Sequence, residues 1–184
     1  MNAKSKQTFL AIILILLGVV LRLLELIPNF SPVTAIALLG GAYLLDKRWS
    51  IVIPVASLLI SDILLGYKNN YPFFHNTIFF VYISYIIIVF LGWKLRSEKV
   101  NYLKVGGFAI VSSLLFFIIS NFGVWIVGTL YERNLAGLVN CFEMAIPFYK
   151  FTFFGDVVYT FLFFFIFNVI KNLTIIKLTP STIK

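Results

Sequence analysis

Long uninterrupted apolar runs are the feature that most limits what this chain can fold into. Leu10–Leu21 and Ile78–Trp93 have no polar stripe recurring at each turn, and a helix of a soluble domain needs such a stripe to face water. Blocks near 20 apolar residues are what a hydrocarbon core about 30 Å thick demands of a helix. The composition agrees: 61% of the 184 residues are hydrophobic and 12% are charged, whereas soluble domains carry roughly 25% charge. The mean hydropathy is +1.01. The reading is an all-α integral membrane protein forming one transmembrane domain over 1–184, bound to a lipid bilayer.

Six apolar segments can be marked, at about 8–27, 33–45, 51–66, 77–93, 105–127 and 150–170. Pro28 and Pro32 bracket the first connection, because proline lacks the amide donor and disfavours helix in the residue before it. The second segment is short and holds Gly40, Gly41 and Ala42, small residues that allow close helix packing. It spans only with depth supplied by neighbours or with part of its connection inside the membrane. The stretch Leu135–Phe148 is too short to span, and is expected as a short interfacial or re-entrant helix, ended by Pro147, before the last span. Lys4 and Lys6 precede a first run without a small-x-small cleavage site, which reads as a retained helix rather than a leader.

Basic residues orient such a bundle, since cytoplasmic loops carry the excess of lysine and arginine. With alternating spans and both termini cytoplasmic, one side holds Lys4, Lys6, Lys47, Arg48, Lys94, Arg96, Lys99, Lys104, Lys171, Lys177 and Lys184. Arg22, Lys68, Arg133 and Lys150 are left for the other. The expected location is therefore the inner (plasma) membrane, with multiple passes. The formal charge of +8 comes from loops between apolar blocks rather than from one basic face, so nucleic acid is not an expected partner. Single Cys141 and single His75 leave no cysteine cluster, and no metal or cofactor is expected.

Ionisable groups inside spans are costly and usually functional. Arg22 and Glu25 near the end of the first span, Asp62 in the third, Asn121 and Trp125 in the fifth and Asp156 in the sixth all fall roughly 4–9 Å below the outer surface at 1.5 Å per residue. The inner halves of the same segments are apolar. An ion channel would need polar groups along its whole path, so a pocket open to the outside is the better reading. The candidate substrate-binding residues are Arg22, Glu25, Asn29, Asp62, Asn121, Trp125 and Asp156. Structural readings stand beside these. Arg22 and Glu25, at i and i+3, can pair with each other. Asn121 can bridge helices, and Trp125 can sit in the interfacial aromatic belt. Asp62 has no basic neighbour one turn away, so its partner must come from another helix or from a ligand. Asn29-Phe30-Ser31 before Asp62 and Asn121-Phe122-Gly123 before Asp156 form a faint internal echo. No phosphate loop, metalloprotease helix or nucleophile elbow occurs, so no catalytic residues and no enzyme activity are expected.

Asn29-Phe30-Ser31-Pro32-Val33, Leu39-Gly40-Gly41-Ala42-Tyr43, Ser61-Asp62-Ile63-Leu64-Leu65-Gly66, Ser120-Asn121-Phe122-Gly123-Val124-Trp125 and Ala145-Ile146-Pro147-Phe148 resemble an uncharacterised family of small bacterial six-helix membrane proteins. That family in turn looks like the substrate-binding S components of energy-coupling-factor (ECF) vitamin transporters. The resemblance implies transport: capture of a vitamin or similar micronutrient, corrinoids included, from the outer side, with a coupling subunit and ATPases as partners. S components often dock that subunit through an Ala-x-x-x-Ala motif. The first helix here has Ala11 and Gly18 instead, and Ala35, Ala37, Gly40, Gly41 and Ala42 are the candidate substitute surface. The alternative expectation is a non-transport structural or assembly protein of the membrane.

Overall fold

The computed structural model describes residues 3–176 except Glu25, Tyr71, Phe73 and Glu98. Six helices follow in order: α1 (Ala3–Leu24), α2 (Val33–Tyr43), α3 (Lys47–Asn69), α4 (Ile78–Trp93), α5 (Tyr102–Val127) and α6 (Leu135–Ile176). Four contain stretches long and apolar enough to cross a membrane, namely Lys4–Leu24, Lys47–Asn69, Tyr102–Val127 and Leu135–Leu173. The other two, α2 and α4, are apolar but shorter.

Short connections make successive helices antiparallel, and cross-helix contacts sort the residues into two ends. At one end Lys68 Nζ donates to the Leu23 carbonyl at 2.9 Å, Tyr82 donates to Asp62 and Phe80 packs on Gly123. At the opposite end Trp93 Nε1 donates to Ser50 Oγ, Thr8 reaches the Tyr43 carbonyl and Asn168 donates to Tyr102. Lys4, Lys6, Lys47, Arg48, Lys94, Arg96, Lys99, Lys104 and Lys171 belong to this second, lysine-rich end.

The short helix α2 lies at the centre. Every residue from Thr34 to Tyr43 is buried, walled by α1, α3, α4 and α6. Its glycines account for the approach. A Cβ on Gly41 would sit 2.3 Å from the Val89 carbonyl oxygen, and one on Gly92 2.6 Å from that of Leu38. The backbones of α2 and α4 therefore touch directly. Gly40 takes the ring of Pro54 from α3 in the same way. At the C-terminal end of α2, Arg96 Nε donates to the Gly41 carbonyl and Arg96 Nη2 to that of Leu44, both at 2.9 Å. These bonds satisfy carbonyls that a helix end leaves without an intrahelical partner.

Asp46 caps α3, its carboxylate accepting from the Arg48 and Trp49 amides. Asn101 caps α5 by accepting from the Lys104 amide. Both side chains do what N-cap oxygens do in satisfying orphan donors.

Three sequence expectations change. Leu135–Phe148 is not a separate interfacial or re-entrant helix. It is the first third of the 42-residue α6, and Pro147 lies inside that helix. A proline removes one bond of the ladder, and here the helix continues on both sides. Ala35, Ala37, Gly40, Gly41 and Ala42 form no flat outer surface for a partner, because all are buried in the bundle. The echo between residues 29–31 and 121–123 is not a structural repeat: Asn29 sits in a turn with φ 62, whereas Asn121 is helical.

Overpacking a close approach costs about 1–3 kcal/mol or more. Gly41→Leu and Gly92→Val are expected to lower the unfolding temperature of the purified protein sharply. Gly107→Ala, whose added methyl meets nothing within 4 Å, should leave it unchanged or raise it. Thermal unfolding of the three variants in detergent tests this pattern.

Candidate functional site

Between α1 and α2 the chain turns through residues 26–32. Pro28 and Asn29 occupy the central positions of a turn closed by the Phe30 amide on the Ile27 carbonyl at 3.1 Å. Proline followed by a left-handed residue is the pattern of a type II turn, and asparagine tolerates that conformation better than most side chains. The turn is held against α6. A Cβ on Gly155 would lie 2.9 Å from the Ser31 nitrogen and 3.0 Å from Phe30 Cα, so only glycine admits this seating. The Phe30 ring then meets Tyr159 at 5.3 Å.

Under this connection lies a cavity of about 280 Å³, walled by Arg22, Asn29, Ser31, Thr34, Thr152 and Asp156 together with Ile27, Phe30, Leu58, Leu65 and Phe116. Arg22 and Asn29 thus line one cavity with Asp156, which lies far from them in sequence. Asp62 stands behind Arg22. The Arg22 guanidinium pairs with the Asp62 carboxylate and with Ser61 Oγ, and its Nη1 also donates to the Leu58 carbonyl at 3.3 Å. The other carboxylate oxygen of Asp62 accepts from the Tyr82 hydroxyl at 2.9 Å. This network joins α1, α3 and α4. The partner that another helix supplies to Asp62 is therefore Arg22. Glu25, the expected local partner of Arg22, lies outside the described residues.

Asp156 differs. It is 3% exposed, and its Oδ2 has no hydrogen-bond partner. Thr34 from α2 and Ser113 from α5 face its carboxyl. Among the described residues it has no cationic partner. Ser31 Oγ, which shares the cavity, and Thr160 Oγ1, one turn further along α6, are also buried without a hydrogen-bond partner.

The remaining two candidates stay off the cavity wall. Asn121 Nδ2 turns back to the Phe117 carbonyl of its own helix at 2.8 Å. Trp125 Nε1 donates to the Glu132 carbonyl and, with Arg133 donating to the carbonyls of Ile126 and Gly128, fixes the connection between α5 and α6. Sequence reasoning over charged groups missed Ser31, Thr34, Ser113 and Thr152. Hydroxyl residues inside apolar segments are a weak signal, since they often bond their own helix, as Ser120 does here. Among the described residues no three of His, Cys, Asp and Glu come together so as to hold a metal ion.

An all-helical bundle with several apolar helices of spanning length, closed around a polar cavity at one end, is of the kind found in multi-pass membrane proteins. The chain belongs to DUF6580, a family of unknown function, which it matches over residues 2–178. Neither a curated protein nor a solved structure matches it.

Leaving one partner of a partly buried ion pair alone is destabilising, and contacting residues in one network couple by roughly 0.5–3 kcal/mol. Arg22→Ala and Asp62→Ala are each expected to destabilise the protein, and the double variant by clearly less than their sum. Denaturant unfolding of the four proteins measures that coupling. Additive losses would show that the pair contributes no mutual stabilisation.

Proposed function

We propose that this protein spans the plasma membrane six times with both termini in the cytoplasm, and captures a small polar micronutrient from the outer side. It would act in the manner of an S component of an ECF transporter, handing its ligand inward with a coupling subunit and ATPases. The observation that carries this reading is the cavity beneath residues 26–32, with Asp156 on its wall. It lies at the end opposite the lysine-rich one. The positive-inside rule assigns the lysine-rich end to the cytoplasm, so the cavity faces outward. Below it the bundle is filled by Ile15, Leu38, Ile88, Phe163 and Phe167, all fully buried, which fits capture rather than an open channel. Pockets for drug-sized ligands run about 300–1,000 Å³. A cavity of about 280 Å³ therefore favours the small members of the vitamin class over corrinoids.

A second reading has its own support. The Arg22–Asp62–Tyr82 network ties three helices together, as a structural or assembly protein of the membrane would need. The two separate on ligand response. A thermal-shift screen of the purified protein against polar micronutrients is expected to reveal a stabilising compound, since a ligand at 100 times its Kd adds about 2.7 kcal/mol. Asn29→Ala should weaken that response. A protein that no nutrient stabilises, and that co-purifies with one fixed partner, would support the assembly reading instead.

Orientation is checked separately. A phosphatase reporter active only outside the cytoplasm should be inactive when fused after Lys184 and active when inserted near Asn134. The reverse pattern would invert the cavity and remove capture from outside.

A further inference from the structure

Resting on the capture reading, we infer that the ligand carries a protonated amine, bound by the Asp156 carboxylate. Among the described residues two charged side chains line the cavity, Arg22 and Asp156, and they are not equivalent. Arg22 is neutralised by Asp62, and its donors are further engaged by Ser61 and the Leu58 carbonyl. Asp62 is in turn satisfied on its second oxygen by Tyr82. Three of the five guanidinium donors and the Arg22 charge are thus engaged within the protein, so Arg22 is less well placed than an unpaired cation to recruit an acid.

Asp156 is the complement. An acceptor this deeply buried is normally paired, because an unpaired charge in an apolar interior is expensive. Its Oδ2 is unpaired, and the hydroxyls that meet its carboxyl come from separate elements, Thr34 from α2 and Ser113 from α5, with Ser31 of the connection on the same cavity. A carboxylate with hydroxyls beside it offers acceptors in more than one direction. An alkylammonium has three donors and no acceptor. The carboxylate would compensate its charge while hydroxyl lone pairs take its remaining protons. A carboxylate ligand would instead meet Asp156 as a like charge. Gly155 serves the same site, since it seats Ser31 beside the carboxylate's own helix turn.

The test uses the full chain in lipid nanodiscs and two matched sets of small probes: tyramine, tyrosol and 4-hydroxyphenylacetate, then pyridoxamine, pyridoxine and 4-pyridoxate. Within each set the ammonium member should bind at least tenfold more tightly than the alcohol, and the acid should not bind. Asp156→Asn should abolish that preference, and Asp156→Glu should restore part of it. Because Asp156→Asn could itself fold poorly, the ranking by charge in the wild-type protein is decisive without it. Binding of the alcohols or acids as tightly as the amines, or a preference for the amines that survives in a folded Asp156→Asn, overturns the inference and leaves capture intact. Absence of binding by either set, with other micronutrients stabilising the protein, also overturns the amine assignment. Absence of any stabilising nutrient overturns both readings.

Discussion

The rest of the bundle depends on enclosing α2. Eleven residues rise about 16 Å at 1.5 Å each, roughly half of a hydrocarbon core. A helix that short cannot carry its ends to water on both sides of a membrane, and unpaired backbone groups are not tolerated against lipid. The observed solution is to surround it. Gly41 and Gly92 bring α2 and α4 into backbone contact, Gly40 receives Pro54 from α3, and Arg96 bonds the carbonyls of Gly41 and Leu44. Its N-terminal end is reached through the connection 26–32, which folds back onto α6.

The cavity follows from that arrangement. Because α2 begins inside the bundle, the residues leading into it cover space that a full-length helix would fill. Asn29, Ser31 and Thr34 thereby come onto one wall with Thr152 and Asp156 of α6. The same glycine that seats the connection, Gly155, immediately precedes the buried carboxylate, so roof and wall are coupled through a single turn of α6. The Arg22–Asp62–Tyr82 network stands beside this wall and fixes the relative positions of α1, α3 and α4.

Two carboxylates near one end of the bundle have been given opposite circumstances. Asp62 is paired with a guanidinium and a phenol, and its charge is held within the protein. Asp156 is more deeply buried and is faced by the hydroxyls of Thr34 and Ser113. Their immediate sequences, Ser61-Asp62-Ile63 and Gly155-Asp156-Val157, do not announce the difference. It arises because α3 presents Asp62 to α1, where Arg22 is available, whereas α6 presents Asp156 to α2 and α5, which supply hydroxyls.

The helical, apolar character of the chain, the places of six helices to within a few residues at most ends, and the segregation of lysines are legible in the sequence alone. These depend on local composition: long apolar runs, with Pro28 and Pro32 as breaks. How α2 is buried, whether Pro147 ends a helix and which polar residues meet depend instead on packing between helices. Pro147 could not be judged from sequence, because a missing hydrogen bond ends a helix only when the flanking turns have no other support. The pairing of Arg22 with Asp62, 40 residues apart, and the isolation of Asp156 were illegible for a simpler reason. An ionisable side chain takes its role from groups brought to it by other helices, and no local pattern records which helix will be its neighbour.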